Sequence, residues 1–519
     1  MKLDLKTALL VSCLASTAIF TPALAAKPLS TNLPLTSQHY EQIQKLEAMG
    51  YVKQILPGSK PFSRIAIAQL TIEASSTAKD KPTPQYIKDI IQQLETSFAK
   101  EIDMINGQIT DTTPELKTIT LETAYYGADS ANYSYNSPAH KIGAKWQPFT
   151  HNNNGNRYDN NFNYSISAEV YGNLGHSTAI SLTPRIGYSD NNNNKVNLQE
   201  GYLKLKNGSV SVEFGKQALF WGQGKDASLI LGNAATPLTM LRVNLEDPEP
   251  IGGFFKFLGR NTSQIFVASL ESDRAARALA NGNQKDYDRA TLLGLRTDFM
   301  PTDNFTFGLT RVSMLGGKAH GLSSHDWKDW FLGTNANSSE ADRWNDIAGI
   351  DFRYRFPALE VYGELYGEDQ AGYLPSQTAQ KLGFYLPRLT RDGAWDLNLE
   401  YSKTTSVWYD HSAFQNGWTY KDSLLGDYMG PNAEKYLLTL GHYQSGKQQF
   451  MLNASTMKME RNTITPQKVH ELSLTHKFLL QDNLSLKTQI GIAKIDNAGF
   501  KNHHNETTRF LGLSLNYTY

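Results

Sequence analysis

From about residue 113 onward, apolar and polar side chains alternate along the chain. In the last ten residues, Leu511, Leu513, Leu515, Tyr517 and Tyr519 interleave with Gly512, Ser514, Asn516 and Thr518. A period of two is the signature of a strand with one apolar face. The pattern returns at Ile119 and Leu121; at Tyr164, Ile166, Ala168 and Val170; at Val210, Val212 and Phe214; and at Phe305, Phe307 and Leu309. It is seen again at Ile350, Phe352, Tyr354 and Phe356; at Trp395, Leu397, Leu399 and Tyr401; at Tyr436, Leu438 and Leu440; and at Leu484, Leu486, Ile490 and Ile492. Turn-rich stretches such as Asn152-Asn153-Asn154-Gly155-Asn156, Asn191 to Asn194 and Gly316-Gly317 separate the runs.

Upstream the period is helical. Tyr40, Ile43, Leu46 and Met49 predict a helix from Ser37, as N-cap, to about Leu56, where Pro57-Gly58 stops it. A second helix follows Pro61, with Ile65, Ala68 and Ile72 on one side. Thr83-Pro84 opens a third, whose stripe of Ile87, Ile90, Ile91, Leu94, Phe98, Ile102 and Ile105 runs to Asn106-Gly107. Three short helices need partners for their apolar faces, either each other or the mouth of a larger structure.

A soluble sandwich and a membrane barrel share the same alternation, so the polar face has to decide between them. It carries Asp351, Arg353, Arg355, Glu360 and Glu364, and the strand ends are rich in Tyr and Trp, as in the aromatic girdles of outer-membrane barrels. A mean hydropathy of −0.44 suits a polar lumen. At roughly 9 to 11 residues per spanning strand plus connections, the chain after residue 113 allows about 16 to 20 strands. A barrel that wide must be filled or gated, and the helical head is the candidate.

One hairpin can be registered from sequence. A two-residue turn within Phe356-Pro357-Ala358-Leu359 pairs Phe356 with Leu359, Arg355 with Glu360, Arg353 with Tyr362 and Asp351 with Glu364. Apolar residues then share one face, apart from the Gly363 position, while the arginines lie opposite or diagonal to Glu360 and Glu364. Such charges either stiffen the wall as a luminal salt-bridge ladder or contact a ligand. The short turn belongs at the periplasmic rim.

The first residues read as an export signal. Lys2 and Lys6 precede an apolar stretch from Ala8 to Phe20, and Ala23-Leu24-Ala25 supplies the cleavage pattern. A lipoprotein signal ending at Cys13 would leave only Thr7 to Val11 as its apolar region. Cys13 is the one cysteine, so cleavage after Ala25 removes thiol chemistry and disulfides from the mature chain. No run approaches 18 apolar residues, which excludes a helical span.

Across its 519 residues the chain has 50 Lys plus Arg against 50 Asp plus Glu, which leaves no electrostatic footprint for nucleic acid. An aromatic fraction of 11% with 19% charged residues argues for a folded chain. Enzyme signatures are thin: neither G-x-S-x-G nor H-E-x-x-H occurs, and Gly222-Gln223-Gly224 lacks the strand–helix setting of a nucleotide loop. Glu368-Asp369 and Glu246-Asp247-Glu249 are ordinary solvated acids unless they span a sugar, and His503-His504 is a loop pair rather than a metal site. No cofactor or metal is expected.

Carbohydrate recognition combines flat aromatic faces with directional polar groups. The chain offers Trp327 and Trp330 beside Asp326 and Asp329, Trp408 and Tyr409 beside Asp410, and Trp221 near Lys225 and Asp226. Arg353, Arg355, Glu360 and Glu364 are the luminal candidates. Tryptophans near strand ends equally serve as girdle anchors at the lipid interface.

Trp221-Gly222-Gln223-Gly224 with Ser228-Leu229-Ile230-Leu231, Asn233-Ala234 and Pro237 resembles the pattern of the capsule assembly Wzi family. So do Ala348-Gly349-Ile350-Asp351-Phe352-Arg353-Tyr354, Tyr362-Gly363-Glu364-Leu365-Tyr366-Gly367-Glu368-Asp369 and Asn416-Gly417-Trp418. The resemblance implies an all-β membrane protein, a closed antiparallel barrel of about 18 strands whose periplasmic side is plugged by an N-terminal helical bundle. It divides the chain into an export signal (1–25), a periplasmic helical plug (26–112) and an outer-membrane barrel (113–519). It implies a lectin-like, non-enzymatic role, holding capsular or extracellular polysaccharide at the cell surface. The other expected partners are outer-membrane lipids and, during biogenesis, the barrel assembly machinery. A substrate-selective sugar porin and a barrel hydrolase are the rival readings.

Overall fold

The computed structural model describes residues 28–519 except 54, 110–111, 138, 192–193, 333–343, 369, 372–373 and 376. The export signal expected over residues 1–25 lies outside the described residues. Eighteen strands, from Glu115–Ala128 to Glu506–Thr518, form one closed antiparallel barrel. Closure is made by the first strand against the last, in register from Thr118↔Thr518 to Ala128↔Thr508. A closed sheet leaves no unpaired edge, the condition for strands to cross a bilayer.

The alternation decides which face is which. Leu121, Phe214, Ile350, Leu365, Leu472 and Leu513 point outward and are exposed, while their strand neighbours turn into the lumen. An apolar outer wall of this extent is stable in lipid and not in water. The hairpin Trp344–Arg355 and Glu360–Gly367 has the register expected from sequence, Arg355↔Glu360, Arg353↔Tyr362 and Asp351↔Glu364. Its turn closes with Phe356 N–H donating to Leu359 O at 2.7 Å.

At one end of the barrel the connections are short, for example 208–209, 303–304, 446–447 and 482–483; at the other they run long, at 129–160, 218–237, 270–290, 316–343 and 404–433. Helices His39–Ala48, Arg64–Lys79, Gln85–Ser97 and Ala99–Ile105 pack at the short-turn end. There Gln93 Nε2 donates to Gly446 O (2.6 Å) and Arg388 to Met49 O (3.0 Å). Short turns mark the periplasmic side of such barrels, so the helices face the periplasm and the long connections form the outer mouth.

The helices differ from expectation in four places. The third run breaks at Phe98 (φ −118°, ψ 20°), where the ring is held between His39 (5.1 Å) and the Arg64 guanidinium (4.6 Å), so one predicted helix becomes two. Ser63 caps the second helix, accepting from Ala66 N–H at 3.2 Å, and its buried side is Ile65, Ile67, Ala68 and Thr71; Ile72 stays outside. Gln38, one residue beyond Ser37, is the first helix's N-cap, and this helix ends at Ala48 with Met49 as C-cap, short of the Leu56 expected, because Gly50 at φ +75° turns the chain before Pro57-Gly58 is reached. Ile43, Leu46, Ile87, Ile90, Leu94 and Phe98 form the bundle core, which reaches Tyr443 on the barrel wall. Plug and wall therefore share one apolar core.

Candidate functional site

The lumen has two unlike halves. One is packed. The connection 218–237 enters it from the outer mouth and meets the plug: Phe220-Trp221 pair with Ser59-Lys60 as a two-stranded sheet, and Gly222 N–H donates to Gly58 O at 2.9 Å. Glu364 then gathers the following loop, accepting from the backbone N–H groups of Gln223 (2.8 Å), Gly224 (2.8 Å) and Leu229 (2.9 Å). The Trp-Gly-Gln-Gly spacing follows from this, because Gly222 sits at φ +143° and a Cβ there would meet the Glu364 carboxylate. Gln223 Nε2 donates to Asp351 (2.7 Å), which also pairs with Arg296 (2.6 Å) and accepts from Tyr366 Oη (2.8 Å).

Further charges lock the loop across the lumen. Lys381 bridges Glu400 (2.7 Å) and Asp427 (3.2 Å), and Lys435 bridges Asp427 (2.9 Å) and Asp226 (2.8 Å). Burial disfavours the Asp226 charge, but Lys435 and the nearby His151 outweigh it and hold its carboxyl well below the usual range. Lys225 Nζ lies 3.2 Å from the Tyr385 ring centroid and 3.5 Å from Glu360. Buried charges of this kind persist because each is paired.

The other half of the lumen is a polar chamber. Its wall, strands Glu434–Ser445 through Glu506–Thr518 and Glu115–Ala128 through Thr178–Ser189, turns Glu122, Ser165, Arg185, Asn453, Thr475 and Lys487 inward. The Glu122 side chain keeps 36% exposure and Lys487 is exposed although both face inward, so this half is solvent-accessible. Glu41 of the first helix pairs with Lys477 at its floor. His151 donates through Nε2 to Glu471 (3.0 Å) at its roof, where Phe149 stacks on Phe510 (5.5 Å).

Above the roof, the mouth connections 129–160 and 404–433 form a shallow cleft lined by Tyr135, Lys145, Trp146, His151, Arg157 and Tyr428. His151 stacks on Tyr428 with centroids 3.6 Å apart, and Trp146 rests on Tyr133 at 5.0 Å. Trp146 Nε1 and His151 Nδ1 are buried without a hydrogen-bond partner among the described residues. The enclosed volume is about 20 Å³, room for a water molecule and not for a sugar ring, so a ligand here lies along the surface. The rings of Tyr135, Trp146 and Tyr428 are buried as the cleft floor, and the Lys145 and Arg157 cations with the half-buried His151 are the groups it presents to a hydroxylated polymer.

The residues expected from sequence divide among these places. Trp221 is buried against Phe266 (5.1 Å) in the packed half, and Trp408 is buried beside Tyr409 (5.3 Å) under the mouth. Asp410, half-buried in the same connection, faces His140 electrostatically. Arg353 and Arg355 reach the plug: Arg353 donates to both Glu47 carboxylate oxygens at 2.7 Å, and Arg355 Nη1 donates to the Glu47 carbonyl at 3.1 Å and pairs with its carboxylate at 3.2 Å. The expected ladder within the hairpin is reduced to Arg353–Glu360 at 3.5 Å, because the helix offers the better-aligned carboxylate. Trp327 and Trp330 stand apart from all of these, on the helix Ser324–Leu332.

Several participants carry no local sequence signal. Glu47, Lys381, Asp427 and Lys435 are single charges in ordinary contexts. The cleft residues Trp146, His151 and Tyr428 come from connections far apart in the chain. The clearest hint was a lysine at an inward parity position, as at Lys381 and Lys435. Glu368 accepts from Tyr409 N–H (2.7 Å), and Glu246 pairs with Lys204 (2.9 Å), so neither stands free to flank a scissile bond. Asp369 lies outside the described residues.

A family model described as capsule assembly protein Wzi matches residues 130–509. A Klebsiella pneumoniae protein described as an uncharacterized 55.8 kDa protein in cps region is 28% identical over 191 residues, which cover 36% of this chain and 36% of that relative's length. The solved structure of Wzi from Escherichia coli, described as an outer membrane protein involved in group 1 capsule assembly and a carbohydrate binding beta-barrel, superposes with a TM-score of 0.67. Identity is 16%, with 93% of this chain and 99% of that chain covered.

Proposed function

The chain belongs to the capsule assembly Wzi family, and from that membership we propose that it holds capsular or related extracellular polysaccharide on the outer face of the outer membrane, without cutting it. The observation that carries this reading is the cleft at the mouth. Long connections fold inward and build a fixed surface in which Lys145, Arg157 and His151 stand over buried aromatic rings, and the Trp146 and His151 ring nitrogens there have no hydrogen-bond partner among the described residues. A shallow surface suits a polymer that is retained rather than swallowed or processed.

In this reading Lys145, Arg157 and the half-buried His151 touch the polymer, and the buried Trp146 and Tyr428 rings brace them from below. Trp221, Lys225, Asp226, Trp408, Arg353, Arg355, Glu360 and Glu364 shape and support the surface from below. Asp410 lies at its margin. Outer-membrane lipids surround the wall, the barrel assembly machinery inserts it, and the leader 1–25 is removed on export. N-terminal sequencing of the protein purified from outer membranes tests the last point, with Ala26 expected as the first residue.

The test of function is deletion of the gene followed by measurement of polymer attached to cells against polymer shed into the medium. Attachment is expected to fall and to return with the intact gene; unchanged retention rejects the proposal. The polar chamber favours a second reading, a sugar-selective pore. Steady single-channel conductance of the intact protein in planar bilayers would establish that reading, whereas a silent bilayer supports retention. Shortened chains after incubating purified protein with its host's polysaccharide would establish a hydrolase.

A further inference from the structure

One sector of the barrel wall breaks the outward pattern. Strands Thr291–Thr302, Phe305–Leu315 and Trp344–Arg355 align Leu295↔Arg311↔Ala348 and Leu293↔Ser313↔Asp346. The same registers align Leu309↔Ile350 and Phe307↔Phe352, whose Ile350 and Phe352 are exposed members of the outer belt. Arg311, Ser313 and Asp346 therefore point out of the barrel, near its mouth end, where hydrocarbon or headgroups would meet them. An ion pair open to hydrocarbon is costly. Nevertheless these three are buried, at 1%, 0% and 6% exposure.

Their cover is the helix Ser324–Leu332, which the connection after Leu315 lays against the outside of the wall. Arg311 donates to Asp346 (2.7 Å) and to Trp330 O (2.9 Å), and its guanidinium lies 4.3 Å from the Trp330 ring. Trp330 Nε1 donates to Ser313 Oγ (3.0 Å) and Asp346 Oδ1 (3.3 Å), within an apolar nest of Leu293, Leu295, Leu315 and Trp344. The inner side of the helix is thus fully committed. Its other side shows Trp327, Phe331 and Leu332 to the surroundings, with Lys328 exposed between them.

We infer that the helix Ser324–Leu332 is an interfacial anchor: it lies in the outer leaflet, with Trp327, Phe331 and Leu332 in lipid and Lys328 at the level of anionic headgroups, and it seals the Arg311–Asp346 pair from hydrocarbon. Lipid is the occupant because the exposed side of the helix continues the belt of Ile350, Phe352 and Leu365 around it. A Trp beside a Lys on a short amphipathic helix also matches the chemistry of that interface. The inference needs only a wall that faces lipid, and it stands whether or not the mouth retains polysaccharide.

The test uses the full-length protein reconstituted in vesicles of phosphatidylethanolamine and phosphatidylglycerol, with acyl chains either plain or brominated at carbons 6 and 7. Trp327 is one of eight tryptophans, so its emission is taken as wild type minus Trp327→Phe, a change that keeps an aromatic ring against Trp330 and leaves the contacts of Trp330 to Arg311, Ser313 and Asp346 in place. At least a two-fold loss of that difference signal in brominated vesicles, with no effect of aqueous iodide, is expected. Quenching by iodide and not by bromine would overturn the inference in favour of a water-exposed helix. Insensitivity to both would overturn it in favour of a protein partner, and cross-linking would then show whether that partner is a second copy.

Discussion

Glu47 on the first helix and Arg353 on the barrel wall, 306 residues apart, share two hydrogen bonds of 2.7 Å in a site almost closed to solvent. With Lys45–Asp396 (2.7 Å) two residues earlier on the same helix, this fork fixes the rotation and depth of the plug. Removing one partner of such a pair strands the other charge, at a cost of about 3–5 kcal/mol. Glu47→Gln is accordingly expected to leave a folded barrel with a loosened plug, read as faster trypsin cleavage in the region 28–112 of detergent-solubilised protein. Exchanging both residues for Leu is expected to recover most of the protection.

Gly222 carries the turn that lets Glu364 collect three backbone N–H groups. Gly222→Ala forces a side chain into an unfavourable φ and toward that carboxylate, a strain of about 1–3 kcal/mol before any clash. A lower unfolding midpoint and weaker polymer retention are expected together, since the packed half of the lumen supports the cleft. An unchanged midpoint would show that the loop refolds around the substitution.

His140 and Glu460 tie two mouth connections together at 2.6 Å. Burial opposes the His140 charge, yet the hydrogen bond and field of Glu460 raise its pKa above 6.5; burial likewise opposes the Glu460 charge, yet His140 and Ser137 lower its pKa below 4.5. The histidine's stabilisation is complete below 6.5 and is lost as pH rises through its raised value; the glutamate's is complete above 4.5 and is lost as pH falls through its lowered value. Protection factors for hydrogen exchange in residues 131–144 are expected to be highest between pH 4.5 and 6.5 and to fall on the alkaline side. His140→Gln should abolish that alkaline change.

The cleft is tested by a change that spares its packing. Lys145→Gln removes an exposed cation of the lining and leaves the Trp146–Tyr133 pair in place. A single hydrogen bond contributes about 0.5–1.5 kcal/mol, so affinity for immobilised host polysaccharide is expected to drop about 2- to 12-fold with the unfolding midpoint unchanged. Equal affinity would move the contact elsewhere on the mouth.

The strand pairing was legible where it is local. Asp351 to Glu364 forms a hairpin whose turn and alternation act within 14 residues, so sequence suffices for its register. The helical stripe from Ile87 to Phe98 was legible for the same reason, but the break at Phe98 was not, because His39 and Arg64 come from other helices to hold its ring. Of the charge partners, Glu360 in the same hairpin was legible and lies 3.5 Å from Arg353, but Glu47, which pairs with Arg353 and Arg355, was missed, since it carries no mark of its destination.

By itself, the alternation of side chains determined that this chain makes strands with a greasy face and a polar one, and the charges repeated on the polar face pointed to lipid as the cover of the greasy one. Pleating sends successive side chains to opposite faces, a rule written in adjacent residues. Only the tertiary structure decided the fates of like residues. Trp221 and Trp408 went to the interior, and Trp330 to the outer wall over Arg311 and Asp346. Those outcomes depend on ring closure and on which connection folds inward or outward. Both are set by contacts between residues tens to hundreds of positions apart, which no local window of the chain contains.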